Sequence, residues 1–79
     1  MDPQATLRDL LEALEERDFD RIDELADALL HWMEHRGFPP QTLGSESLGR
    51  QWHRSVATFV CYAAKSKVRK VRKRRKRGG

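Results

Sequence analysis

Residues 6–40 read TLRDLLEALEERDFDRIDELADALLHWMEHRGFPP, and this stretch decides the fold. Leu7, Leu10, Leu11 and Leu14 fall at i, i+3, i+4 and i+7, which lays one apolar stripe along a helix. Arg8, Glu12, Glu15 and Glu16 fill the other side. The pattern breaks at Arg17-Asp18-Phe19-Asp20 and restarts. Either Asp18 or Asp20 can accept the free amide hydrogens of a second helix. In that helix Ile22, Leu25, Ala26, Leu29 and Met33 form the core face, flanked by Leu30 and Trp32. Its end is sharply marked. His35 and Arg36 suit the negative pole of the helix. Gly37 is expected in the left-handed conformation that terminates a helix, with Phe38 folded back onto Met33. Pro39-Pro40 forbid continuation. So short a join between two amphipathic helices implies an antiparallel hairpin.

Upstream, Asp2-Pro3 provides a capping carboxylate and a proline at the first helical position. Thr6 and Asp9 offer a second start. Downstream, residues 39–46 are rich in Pro, Gly and Ser and read as a loop, after which Ser45 or Ser47 is expected to cap a third helix. Its buried arc is predicted as Leu48, Trp52, Val56, Phe59, Val60 and Ala63. Ala57, Cys61, Tyr62 and Ala64 make Val56–Ala64 apolar almost all round, which suggests burial on more than one face and self-association. Beyond Ala64 the residues still favour helix. Six successive cations, Arg72 to Arg77, repel one another there, so order is expected to residue 68–72 and fraying after it.

The fold class expected is therefore all-α: a small three-helix protein, an antiparallel hairpin plus a long third helix, with a basic, partly disordered C-terminal tail. The helices are placed at about 3–16, 19–36 and 46–70, within a helical domain 1–64 and a basic extension 65–79 that continues helix three. Seventy-nine residues make one domain with a modest core and little room for a deep cleft. Cys61 is the only cysteine, which excludes an internal disulfide and fits a reducing compartment. The acidic N-terminus lacks the pattern of a secretory signal. The longest mostly apolar run, Val56–Ala64, is far short of the roughly 20 residues of a membrane span. The expected setting is intracellular: cytoplasm or nucleoid in a bacterium, nucleus in a eukaryote.

Charge carries the functional signal. Residues 1–49 hold all 12 acids and four bases, a net of −8, whereas residues 50–79 hold 12 bases and no acid. Lys65, Lys67, Arg69, Lys70, Arg72, Lys73, Arg74, Arg75, Lys76 and Arg77 place ten cations in 13 positions. With no neutralising group nearby in sequence, this run is expected to face a polyanion or water. Neutralising phosphates releases condensed counterions, so six such contacts on duplex DNA would give a slope of log K against log salt of roughly −5. The chain has no Asn, and Gln51 is the only amide side chain in helix three, so no device for reading base sequence is visible. The function expected is non-enzymatic binding of RNA or DNA through the phosphate backbone. The rival reading is a helical adaptor or self-assembling module, in which the acidic hairpin binds a protein and the tail serves solubility or targeting. Trp32, Trp52, Phe59, Cys61 and Tyr62 are its candidate interface, and a second copy of the chain is one partner it would take.

His31-Trp32-Met33-Glu34-His35 spells H-x-x-E-H, which resembles the inverted zinc-peptidase motif. The spacing puts both histidines on one helical face, opposite the core, with no third ligand in sight. They read as exposed helix-end residues, with no metal and no cofactor expected. His53 reads as a satisfied boundary histidine. Gly44 and Gly49 lack the strand context of a phosphate loop. The hairpin is similar in length to a tetratricopeptide unit but lacks that repeat's spaced Trp, Gly and Tyr.

Overall fold

The computed structural model describes the backbone of residues 1–78 and the side chains of residues 1–72. Asp2 opens the first helix, α1 (Pro3–Glu16): its Oδ1 accepts the amide hydrogens of Gln4 at 3.0 Å and Ala5 at 3.3 Å, with Pro3 at the first helical position. Thr6 starts no helix and instead donates its hydroxyl to the Asp2 carbonyl at 2.9 Å. Arg17 ends α1 in the left-handed region at φ 58°. Its amide bonds to the Leu14 carbonyl at 3.3 Å and that of Asp18 to the Ala13 carbonyl at 3.1 Å, the Schellman pattern. Asp18 then caps α2 (Phe19–Glu34) by accepting from the Arg21 amide at 3.3 Å.

The end of α2 differs from expectation by one residue. The left-handed position is Arg36 (φ 65°), not Gly37. Arg36 bonds back to the Met33 carbonyl at 3.2 Å and Gly37 to the Trp32 carbonyl at 2.9 Å. Gly37 is needed for a different reason: the Trp32 indole occupies the space a Cβ would take. Phe38 packs edge-on against Trp32, with ring centroids 5.7 Å apart, and not on Met33, which is buried in the core.

A 3₁₀ turn at Glu46–Leu48 precedes α3 (Arg50–Gly78). Gly49, at φ 93°, separates the two, so helix three starts later than expected and neither Ser45 nor Ser47 caps it. At about 1.5 Å per residue α3 is roughly 43 Å long, and it sets the 48 Å long axis of the molecule. It also ends later than expected: the backbone is helical to Gly78, past residues 68–72 where order was expected to stop, and the side chains from residue 73 on lie outside the described residues. The fold is all-α. No described helix is long and apolar enough to cross a membrane.

The middle helix α2 packs against both α1 and α3, which share no comparable contact with each other. Leu7, Leu10 and Ala13 meet Ile22, Ala26, Leu29 and Met33, and on the far side Ala57, Cys61, Ala64 and Val68 complete the core. Leu11, placed on the stripe by its spacing, is about half exposed. The larger correction concerns α3. Its buried stripe is His53, Ala57, Cys61, Ala64 and Val68, about one residue round the helix from the arc read off the sequence. Leu48, Trp52, Phe59 and Ala63 are exposed. Small side chains let α3 lie close to α2, where bulky ones would hold the helices apart.

Candidate nucleic-acid interface

What turns α3 to that phase is charge as well as size. Lys65 pairs with Asp27 and, at 3.5 Å, with Asp23. Arg72 reaches Asp20 at 3.1 Å and Asp23 at 3.3 Å. The three aspartates follow helical spacing along one edge of α2. Lys65 and Arg72 are two turns apart on α3, beside the Cys61–Ala64–Val68 stripe. The hydrogen bond to Asp27 holds the Lys65 ammonium above its ordinary pKa of 10.5. The basic run is thus not without compensation: the acidic half of the same chain clasps its inner edge. Sequence distance concealed this pairing, because the partners are 38 to 52 positions apart. Opposite charges at matched 3-4-7 spacing on two helices were the available signal.

Lys67, Arg69 and Lys70 lie on the exposed surface of α3 and make no ion pair among the described residues. Lys73, Arg74, Arg75, Lys76 and Arg77 share the helix, and their side chains lie outside the described residues. About three and a half carboxylate-free turns of α3 therefore carry the cationic series, and the acids of α2 border only one side of it.

The loop between α2 and α3 is held by four side chains that its own sequence does not announce. The Gln4 amide accepts the Gln41 backbone N–H at 2.8 Å and donates to the Gln41 carbonyl at 3.2 Å. Trp32 donates to the Phe38 carbonyl at 2.8 Å and Trp52 to the Leu43 carbonyl at 2.9 Å. His53 is buried. Its Nδ1 accepts the Thr42 amide hydrogen at 2.9 Å and lies 2.8 Å from the Thr42 hydroxyl. Nε2 therefore carries the ring proton and donates it to the Ser45 carbonyl at 3.0 Å. Both ring nitrogens are engaged in holding the loop, and neither is open to a metal.

This anchoring leaves a groove on each side of α3. One lies between α1 and α3, with Leu7, Leu11, Leu43, Val56 and Val60 on its walls and a volume of about 560 Å³. The other, of about 920 Å³, lies beside the C-terminal turn of α2. It is bordered by Arg36, Arg50 and Arg54 and by Phe38, Phe59 and Tyr62, with no acid in its lining. The residues proposed as an interface separate accordingly. Phe59 and Tyr62 line the second groove, Trp52 is half exposed and tied to the loop, and Trp32 is partly buried beneath Gly37. Cys61 is not an interface residue. It is fully buried against α2, and that burial pushes its thiol up to about 11 despite the nearby Lys65. So high a value leaves almost no thiolate at neutral pH.

The rings of His31 and His35 stand 4.0 Å apart at the exposed end of α2, and His35 Nδ1 lies 2.9 Å from the His31 carbonyl. No group of three or more potential metal ligands occurs among the described residues. No protein family, curated protein or solved structure matches this chain.

Proposed function

We propose that the protein is a non-enzymatic nucleic-acid-binding protein that grips the phosphate backbone of RNA or DNA along the C-terminal part of α3, with little preference for sequence, in an intracellular setting. One observation carries this reading: the ten cations of residues 65–77 lie on a helix with no acid after residue 49, and Lys67, Arg69 and Lys70 stand exposed and unpaired among the described residues. Phosphates gain ion pairs there without displacing carboxylates. At Lys65 and Arg72 they would have to compete with Asp20, Asp23 and Asp27. The acids of α1 and α2 repel a polyanion and direct it to the outer side of α3.

The test is an anisotropy titration of labelled RNA and duplex DNA over a range of salt. It compares the intact chain with a variant carrying Lys73→Gln, Arg74→Gln, Arg75→Gln, Lys76→Gln and Arg77→Gln. Steep salt dependence, with a slope of about −5 for six phosphate contacts, and a large loss in the variant are expected. Undiminished affinity in the variant would refute docking through the tail.

The α1–α3 groove favours a second reading, a helical adaptor. Leu11 and Leu43 stay exposed on its walls, and an amphipathic helix from a protein partner or from a second copy of the chain would cover them. Sedimentation of the intact chain tests the homodimer, and loss of association in Leu11→Glu would place the contact.

A further inference from the structure

The groove beside the C-terminal turn of α2 has a composition the basic tail does not. Phe38, Phe59 and Tyr62 expose 55%, 73% and 56% of their surfaces there. Three arginines, Arg36, Arg50 and Arg54, border them, and none makes an ion pair among the described residues. The volume, about 920 Å³, is at the upper end of the 300–1,000 Å³ typical of ligand sites. Phe38 is held in place by its edge-on contact with Trp32 and by the Trp32 bond to its carbonyl at 2.8 Å. The aromatic edge of the groove is therefore preorganised.

Aromatic rings beside guanidinium groups take a ligand with planar faces and negative charge in alternation. That is the chemistry of unpaired nucleotides: bases stack on the rings and phosphates meet the arginine forks. A duplex offers the phosphates but hides the base faces. The groove is also continuous with the tail. Tyr62 and Arg69 are seven residues apart on one face of α3, and no acid interrupts residues 50–79. From Arg54 to Arg69 the track is about 22 Å at 1.5 Å per residue.

We infer that this groove is a stacking site for single-stranded nucleic acid, which gives the protein a preference for unpaired over paired strands. The inference rests on the nucleic-acid reading above and adds to it a second contact surface with a different chemistry. Phe59 and Tyr62 supply the stacking faces, and Arg50 and Arg54 pair with phosphates. The tail then holds the same strand further along α3.

The experiment compares the intact chain with Phe59→Ala/Tyr62→Ala and with Tyr62→Phe, all in the full-length protein. Both positions are exposed, so circular dichroism is expected to be unchanged. A short labelled single-stranded RNA and a labelled DNA duplex of the same length are the probes. Stacking on one ring changes affinity by about 5- to 160-fold, so the double variant should lose at least about tenfold for the single strand. For the duplex it should lose less than about twofold, and Tyr62→Phe should keep wild-type affinity for both. If the double variant binds both probes as well as the wild type does, the groove is not a stacking site, while tail-driven binding stands. If the wild type binds neither probe, this inference and the proposed function fall together. A soluble Glu-Tyr copolymer that binds with the same dependence on Phe59 and Tyr62 while the RNA does not would reassign the groove to protein recognition and overturn the inference.

Discussion

Replacing His53 with alanine tests whether one buried ring fixes the loop that joins α2 to α3. The ring accepts from the Thr42 amide, lies against the Thr42 hydroxyl and donates to the Ser45 carbonyl, at 2.8 to 3.0 Å. Each hydrogen bond contributes about 1 kcal/mol net. The Thr42 amide would be left in a partly buried place, and an unsatisfied donor there costs about 1–3 kcal/mol. Loss of the packed ring adds a cavity. These terms share atoms and do not add in full, so the expected loss is about 2–4 kcal/mol. In a domain of this size 1 kcal/mol shifts Tm by about 4–8 °C, so the midpoint should fall by roughly 8–32 °C. His53→Asn keeps an acceptor for Thr42 but not the donor to Ser45, and about half the loss is expected. The assay is thermal unfolding followed by far-UV circular dichroism, with amide exchange at Thr42 as the local readout. Exchange at Thr42 should accelerate in His53→Ala more than exchange in the core of α2. An alanine variant that melts within about 2 °C of the wild type, with the Thr42 amide still protected, would refute the reasoning.

Two further outcomes follow from the α2–α3 seam. Asp23→Asn removes the carboxylate shared by Lys65 and Arg72; since partly exposed pairs contribute about 0.2–1 kcal/mol each, Tm should fall by a few degrees. Nucleic-acid affinity should rise in the same variant, with a salt slope steeper by about 1 for each cation released to a phosphate, and an unchanged slope would argue against competition at the clasp. Cys61 should resist alkylation at neutral pH in the folded chain and react freely once the chain is unfolded in denaturant. Its thiol is raised by burial from 9.0 to about 11, so the folded state holds its proton more tightly than the unfolded state does. That contribution is complete below pH 9 and is lost as pH rises through 11. Lys65, raised by its bond to Asp27, acts in the same direction at the upper end. Denaturant midpoints that stay flat from neutral pH into that alkaline range, or rapid native-state alkylation, would contradict this placement of the thiol.

The ion pairs of the seam show why a charge division along a sequence is an incomplete guide to a surface. The acidic and basic halves are not simply two poles. Asp20, Asp23 and Asp27 neutralise the inner edge of α3, and the cations left over define the exposed side on which a polyanion can settle. Which lysines and arginines belong to the fold and which to the ligand depends on the rotation of α3 about its own axis.

By itself the sequence determined the helices of the hairpin, the Asp2 cap, the choice of Asp18 or Asp20 as the cap of α2, the core face of α2 and the cationic series after Ala64. Each of these rests on spacing or chemistry within a few neighbouring residues. Tertiary structure decided what depends on distant partners. Two stripes of equal 4-3-4 spacing run along α3: Trp52, Val56, Phe59 and Ala63, and beside it Ala57, Cys61, Ala64 and Val68. Hydrophobicity favours the first. The close approach of α2 and its three aspartates select the second. The same rotation buries Cys61 and turns Phe59 and Tyr62 outward beside Arg54, and the loop pinned by His53 brings Phe38 to them. A helix's phase against its neighbour is a property of the pair of surfaces, and one surface alone does not contain it.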